Sequence, residues 1–179
     1  MLFRIAPLIG LTSALALSAC AHMDREEVTT VGTAQLRYGD GSTAGKAQLI
    51  RQDQALELAV TVTGMTPGMH GFHLHSVGKC LPPDFKSAGG HLNPNGNTHG
   101  KNSTNPAHLG DLPNLDVSDS GTASTQVQIG GNASRDLADV FDQDGTAIVI
   151  HAGADDYRSD PAGNAGSRIA CGVLRPLDR

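Results

Sequence analysis

The sequence predicts an all-β protein, an antiparallel barrel or sandwich of about eight strands interrupted by two long functional loops. Three observations carry this. Apolar residues alternate with polar ones over several short runs, the signature of strands with one buried face. Gly/Asp/Pro turn clusters separate those runs. Aromatics make up 3% of the 179 residues, with no Trp and 22 Gly, so the core is aliphatic and the chain rich in turns.

The elements follow in order. Residues 31–37, "VGTAQLR", and 46–52, "KAQLIRQ", read as strands around the turn cluster "YGDGSTAG". In "LELAVTV", Leu56, Leu58, Val60 and Val62 fall on one face. "GFHLH" at 71–75 is a further extended run. After "DVSDSG", another turn cluster, come "GTASTQVQI" at 121–129 and the more continuously apolar "TAIVIHA" at 146–152. Between these two, "SRDLADVF" suits a short helical turn, and "RIACGVL" at 168–174 supplies the last strand. No segment has the length and periodicity of a long amphipathic helix. A formal charge of −5 argues against nucleic acid as a partner.

Residues 76–111 and 152–167 break the rhythm. Loops of this length are uncommon in a compact domain and usually carry function. The first holds His91, His99 and His108. His73 and His75, two apart on a strand, project from the same face and can bind one metal ion. His151 ends an apolar strand, and Asp111 follows His108 closely. Imidazole suits copper and zinc, and a carboxylate completes a zinc set. Six histidines and one aspartate supply two adjacent four-donor sites if one histidine serves both. His70 suits a structural hydrogen bond, and His22 has no assigned role.

The N-terminus has the form of an export signal. Arg4 precedes an apolar run from Ile5 to Leu17, and small residues precede Cys20. "LSAC" at 17–20 resembles a bacterial lipobox. On that reading residues 1–19 are the signal peptide, Cys20 carries lipid, 20–28 form a tether and 29–179 the domain. The bland alternative is ordinary cleavage after "SACA". With Cys20 lipidated, Cys80 and Cys171 remain as one pair, which an oxidising compartment would let close.

"GFHLH", "GGHLNP", "THG", "HLGDLPNL", "HAGADD" and "GNAGSRIACGV" occur in this order. Over about residues 28–175 the chain thereby resembles the Cu/Zn superoxide dismutases. The resemblance implies a Greek-key barrel. It implies copper on His73, His75, His91 and His151, and zinc on His91, His99, His108 and Asp111, with His91 bridging. It implies a Cys80–Cys171 disulfide, an anion-meeting Arg168, and Asp155 joining a copper-side to a zinc-side histidine. Asp156–Arg168 is shorter than in the animal cytosolic enzymes, with Ala162 where those have Thr, so their guidance charges do not map here.

The implied activity is disproportionation of superoxide to dioxygen and hydrogen peroxide, with copper cycling between Cu(II) and Cu(I). His91 would carry a proton when its copper-side nitrogen is free. The implied setting is the periplasm or cell envelope, with a lipid anchor at Cys20, protection from superoxide there, and a homodimer as one assembly. The alternative is a non-catalytic copper- or zinc-binding or copper-delivery domain. A structural envelope protein would leave the ligand set without purpose.

Overall fold

A computed structural model describes residues 27–177. The expected signal peptide, Cys20, His22 and most of the expected tether lie outside the described residues. Among the described residues ten strands are present: β1 (Val28–Tyr38), β2 (Thr43–Gln52), β3 (Ala55–Val62), β4 (Gly68–His70), β5 (Phe72–His75), β6 (Leu115–Val117), β7 (Ala123–Ile129), β8 (Ala147–His151), β9 (Arg168–Val173) and β10 (Arg175–Pro176). One helix, α1 (Ala133–Val140), and a short 3₁₀ turn at Lys86–Ala88 complete the set. The first strand begins at Val28, at the expected end of the tether.

All pairings are antiparallel. The main sheet runs β5-β8-β9-β1-β2-β3-β7, with β10 added to β1, and β4 pairs with β6 in a small second sheet. After β3 the chain crosses to the opposite edge of the sheet, where β5 pairs with β8, passes through β4 and β6 of the small sheet on either side of β5, and returns as β7 beside β3. This is the crossover of a Greek key. The sheet curls round one aliphatic core.

Alternation explains how each strand faces. In β3, Leu56, Leu58, Val60 and Val62 are all buried. In β5, Phe72 and Leu74 enter the main core with Ile148 and Ile150 of β8, their direct register partners. His73 and His75 therefore point to the opposite face, beside Val149 and Ala147. On that face Ala147 and Val149 pack with Phe85, Ala88 and Cys171 in a second, smaller core. Burial on both faces explains why β8 reads as a continuous apolar run.

The strand β5 is an edge of the main sheet, and the first long loop covers it. Leu92 N–H donates to Leu74 O, and Leu74 N–H donates to Gly110 O. Gly110 N–H then donates to Leu92 O, tying the two passes of the loop together. A side chain at Gly110 would collide with the Leu74 carbonyl. The result is backbone pairing of His75 with His91 and of His73 with Asp111. Residues 16 and 38 positions apart in sequence are thereby laid side by side.

The disulfide Cys80–Cys171 spans a Cα–Cα distance of 5.6 Å and ties the start of this loop to β9. Its half-cystines sit against the smaller core, next to Phe85 and Ala88.

Candidate metal centre

His91 stands at the middle of a histidine cluster. Its ring centroid lies 4.0 Å from that of His73, 5.0 Å from His75 and 6.4 Å from His151. On its other side His99 and His108 lie at 5.1 and 5.6 Å. All six rings are buried. A register irregularity between Ile150 and His151 turns the end of β8, where His151 pairs with Arg168. Such bulges commonly re-aim a side chain beside a site.

Two donor sets result, each with one donor atom per residue and all atoms within 4.8 Å of one another. One is His73, His75, His91 and His151; the other is His91, His99, His108 and Asp111. His91 belongs to both.

The first set is defined by what its nitrogens lack. Among the described residues, five buried side-chain atoms have no hydrogen-bond partner: His73 Nδ1, His75 Nε2, His91 Nε2, His151 Nε2 and Thr146 Oγ1. Four of the five are the donors of the first set. Each ring's other nitrogen is engaged. His73 Nε2 donates to Asp155 Oδ2 at 2.7 Å, His75 Nδ1 to Gly89 O at 3.0 Å, and His151 Nδ1 to Gly166 O at 3.2 Å. These acceptors place the proton on the far nitrogen and leave a lone pair facing inward. Four converging buried lone pairs repel one another, and a cation removes that repulsion. The residues present therefore fit a metal ion.

The second set centres on one carboxylate oxygen. Asp111 Oδ1 lies 2.8 Å from His91 Nδ1, 3.0 Å from His99 Nδ1 and 3.1 Å from His108 Nδ1. Four donors on a tetrahedron about 2.0–2.1 Å from zinc are about 3.3 Å apart, so small adjustments would seat an ion. Asp111 Oδ2 accepts from the backbone N–H groups of Gly100 and His108, which fixes the carboxylate plane.

Asp155 couples the two sets. Buried to 3% exposure, it takes His73 on Oδ2 and His99 Nε2 on Oδ1 at 3.0 Å, together with Tyr157 N–H. It is not a solvated acid, unlike exposed Asp156, which holds the turn at Ser159. His73, His99 and Asp155 also form a three-donor group, but their facing atoms are already hydrogen-bonded to one another. Gly163, with φ of 63°, lies over this bond, and a Cβ there would strike Asp155 Oδ1 and His99 Nε2. Asn114 fixes the Asp155 backbone from both sides, accepting from its N–H at 2.8 Å and donating to its carbonyl at 3.0 Å.

Burial, reinforced by repulsion from neighbouring imidazoles, pushes His75 down to about 2 and His91 and His151 down to about 4. All three are neutral near pH 7, the form that binds metal. Burial raises Asp155, but hydrogen bonds from His73 and His99 outweigh it and hold the carboxyl at about 2. Asp111 is also held below its ordinary value, because bonds from His91 and Gly100 and its histidine neighbours overcome burial.

Arg168 lies at the margin of the first set. It donates to Phe85 O at 2.8 Å and Gly89 O at 2.7 Å. The Gly89 carbonyl thus receives both Arg168 and His75. The disulfide-bonded loop supplies both carbonyls, so Cys80–Cys171 supports the arginine and one donor histidine at once. His70 takes the structural role expected of it: its ring nitrogens face His151 O at 2.7 Å and Thr66 O at 2.9 Å.

Every site residue predicted within the described chain falls in this cluster or in its supporting disulfide. Sequence reasoning missed Asn114, Tyr157, Gly163 and the Phe85 and Gly89 carbonyls. Gly163 in "GNAGS" and Asn114 in "DLPNL" stood inside quoted motifs, but nothing in their spacing marked a role. A carbonyl leaves no sequence signal at all.

Comparison with known proteins agrees with this geometry. A family model described as copper/zinc superoxide dismutase (SODC) matches residues 43–174. Cu-Zn superoxide dismutase 2 of Aquifex aeolicus is 43% identical over 145 residues, covering 79% of this chain and 85% of that protein. The solved structure of a superoxide dismutase-like protein from Bacillus subtilis superposes with a TM-score of 0.72 at 36% identity, covering 80% and 97% of the two chains. The Cu/Zn superoxide dismutase of Brucella abortus superposes with a TM-score of 0.65 at 26% identity, over 83% and 100%.

Proposed function

Because the chain belongs to the copper/zinc superoxide dismutase family, an oxidoreductase family that uses both metals, we propose that its two donor sets are the copper and zinc sites of a superoxide dismutase acting at the cell envelope. His73 Nδ1, His75 Nε2, His91 Nε2 and His151 Nε2 would hold copper. Asp111 Oδ1 and the Nδ1 atoms of His91, His99 and His108 would hold zinc. The observation that carries this is the convergence of four unpaired buried imidazole nitrogens, each with its opposite nitrogen engaged.

Copper supplies a one-electron cycle, in which one superoxide is oxidised to dioxygen and a second, with two protons, is reduced to hydrogen peroxide, while zinc supplies charge without redox chemistry. The protein's residues do the rest. Arg168 uses two of its five N–H donors on the Phe85 and Gly89 carbonyls. That fixes the guanidinium, and its remaining donors and permanent charge meet the small anion. A charged group in a low-dielectric cleft focuses potential locally, so the net negative charge of the chain does not prevent attraction. His91 Nε2, buried without a hydrogen-bond partner, would hold a proton for the departing peroxide when it is not bound to metal. Asp155 keeps His73 and His99 in the tautomers that face the metals.

The envelope assignment rests on the leader-like residues 1–19, on Cys20 in "LSAC", and on the Cys80–Cys171 disulfide, which suits an oxidising compartment. Lipid on Cys20 would hold the enzyme at a membrane surface, and a homodimer is the assembly proposed. Cys20→Ala should release a soluble form or block maturation; unchanged membrane association and mass would remove the lipid anchor from the account.

The enzymatic reading is tested by loading the metal-free protein with copper and zinc and following superoxide decay. His151→Ala should lose copper and activity while zinc stays. Asp111→Ala should lose zinc first. Absence of dismutation by the fully loaded wild type would support instead a copper-carrying role.

A further inference from the structure

The zinc quartet is not closed equally on all sides. The side chains of His99 and His91 are 0% and 2% exposed, against 7% for His108 and 5% for Asp111. The two donors that solvent still reaches both line a cleft of about 330 Å³ between the first long loop and the start of α1. The buried Asp136 carboxylate lines the same cleft, held by the N–H groups of Gly131 and Asn132. At the rim, exposed Arg135 of α1 donates to Asn95 Oδ1 of the loop at 2.7 Å. That bond ties together the two elements that form the walls.

We propose that this cleft is the entrance by which zinc reaches His91, His99, His108 and Asp111, and that the Arg135–Asn95 hydrogen bond is its latch. The proposal rests on the zinc assignment made above. Asp136 inside and Asp111 at the floor attract a dication along the cleft, while the Arg135 guanidinium at the rim repels it. Parting Arg135 from Asn95 separates the loop from the helix and moves that charge off the path. The hydrogen bond sets the rates of entry and exit, and because neither residue is a donor, breaking that bond without removing the charge leaves affinity alone. None of Arg168, His73, His75 and His151 lines this cleft, so zinc entering here does not pass them.

The test is stopped-flow loading of metal-free protein with zinc, read by a competing chromophoric chelator, with release measured in the same way. Arg135→Ala and Asn95→Ala each remove the latch. Asn95→Ala keeps the cation, and Arg135→Ala keeps the backbone N–H that Asn132 caps. The phase absent in Asp111→Ala identifies the quartet. Both latch variants should load and release zinc about 2- to 10-fold faster, the range expected for loss of one hydrogen bond, with an unchanged dissociation constant in Asn95→Ala, which keeps the cation. Wild-type rates in both variants would overturn the latch. Acceleration in Arg135→Ala alone would also overturn it, leaving only a charge effect. If Asp111→Ala binds zinc with the rate and affinity of the wild type, the zinc assignment itself falls, a result distinct from either of the others.

Discussion

Opening the Cys80–Cys171 bond tests how far the site depends on its scaffold. The cysteines are 91 residues apart. Loop-closure entropy for a cross-link of that span gives about 4–5 kcal/mol of stability at 25 °C. For a urea slope of about 2 kcal/mol/M, the unfolding midpoint of the metal-free protein should fall by about 2 M on reduction. Reduction removes no side-chain volume, so the comparison isolates the cross-link. The consequence should extend to the site. The loop between Cys80 and His91 carries the Phe85 and Gly89 carbonyls that hold Arg168 and His75. The reduced, metal-loaded protein should therefore lose activity before it unfolds. The assay is urea titration followed by circular dichroism, oxidised against reduced, on the metal-free protein for the midpoint and on the metal-loaded protein with superoxide decay measured at each point. A midpoint difference below about 0.5 M, or activity that survives until global unfolding, would refute the reasoning.

Arg168→Ala should keep both metals yet lower the superoxide rate by about tenfold, and Arg168→Glu should lower it further. Wild-type activity should fall as salt rises; equal pulse-radiolysis rates for all three proteins would remove the anion-meeting role. Asp155→Asn leaves one acceptor oxygen where two served His73 and His99, so chelator competition should find metal affinity weakened by about 10- to 100-fold in a protein that still folds. Unaltered affinities for both metals would contradict its coupling role. In the metal-free protein, His75, His91 and His151 titrate below the 6.5 of an unfolded chain, near 2, 4 and 4. Their folded values are depressed, so the unfolded state binds more protons as pH falls. The associated stability is complete above about pH 6.5 and is lost as pH falls towards 4, with His75 extending the loss below that. Urea midpoints at pH 7, 5.5 and 4.5 should decline, and a flat series would contradict the burial argument.

The parts of this fold that were legible in the sequence are those with a period. Leu56, Leu58, Val60 and Val62 announce one buried face, and that is what β3 presents. The same parity put His73 and His75 together, opposite Phe72 and Leu74. Three-residue strands such as β4 and β6, and the two-residue β10, are too short to leave a pattern. The helix α1 read only as a turn because its eight residues bury little besides Ala133, Asp136 and Val140. The histidines and the aspartate that the structure brings together were legible through the order of their motifs. The support beneath them was not: Asn114 and Tyr157 act on Asp155 through contacts some forty residues apart or through the backbone, and any residue could supply the Phe85 and Gly89 carbonyls. Arg135 and Asn95 meet only because the loop and α1 lie side by side.

On the proposed assignment His91 joins two metal sites of different composition. The most direct measurement is a crystal structure of the copper- and zinc-loaded protein with anomalous data collected on both sides of each metal's absorption edge. The account expects one copper peak bounded by His73 Nδ1, His75 Nε2, His91 Nε2 and His151 Nε2. It expects one zinc peak bounded by Asp111 Oδ1 and the Nδ1 atoms of His91, His99 and His108. A single site, exchanged metals, or a His91 bound through one nitrogen in the oxidised protein would contradict it.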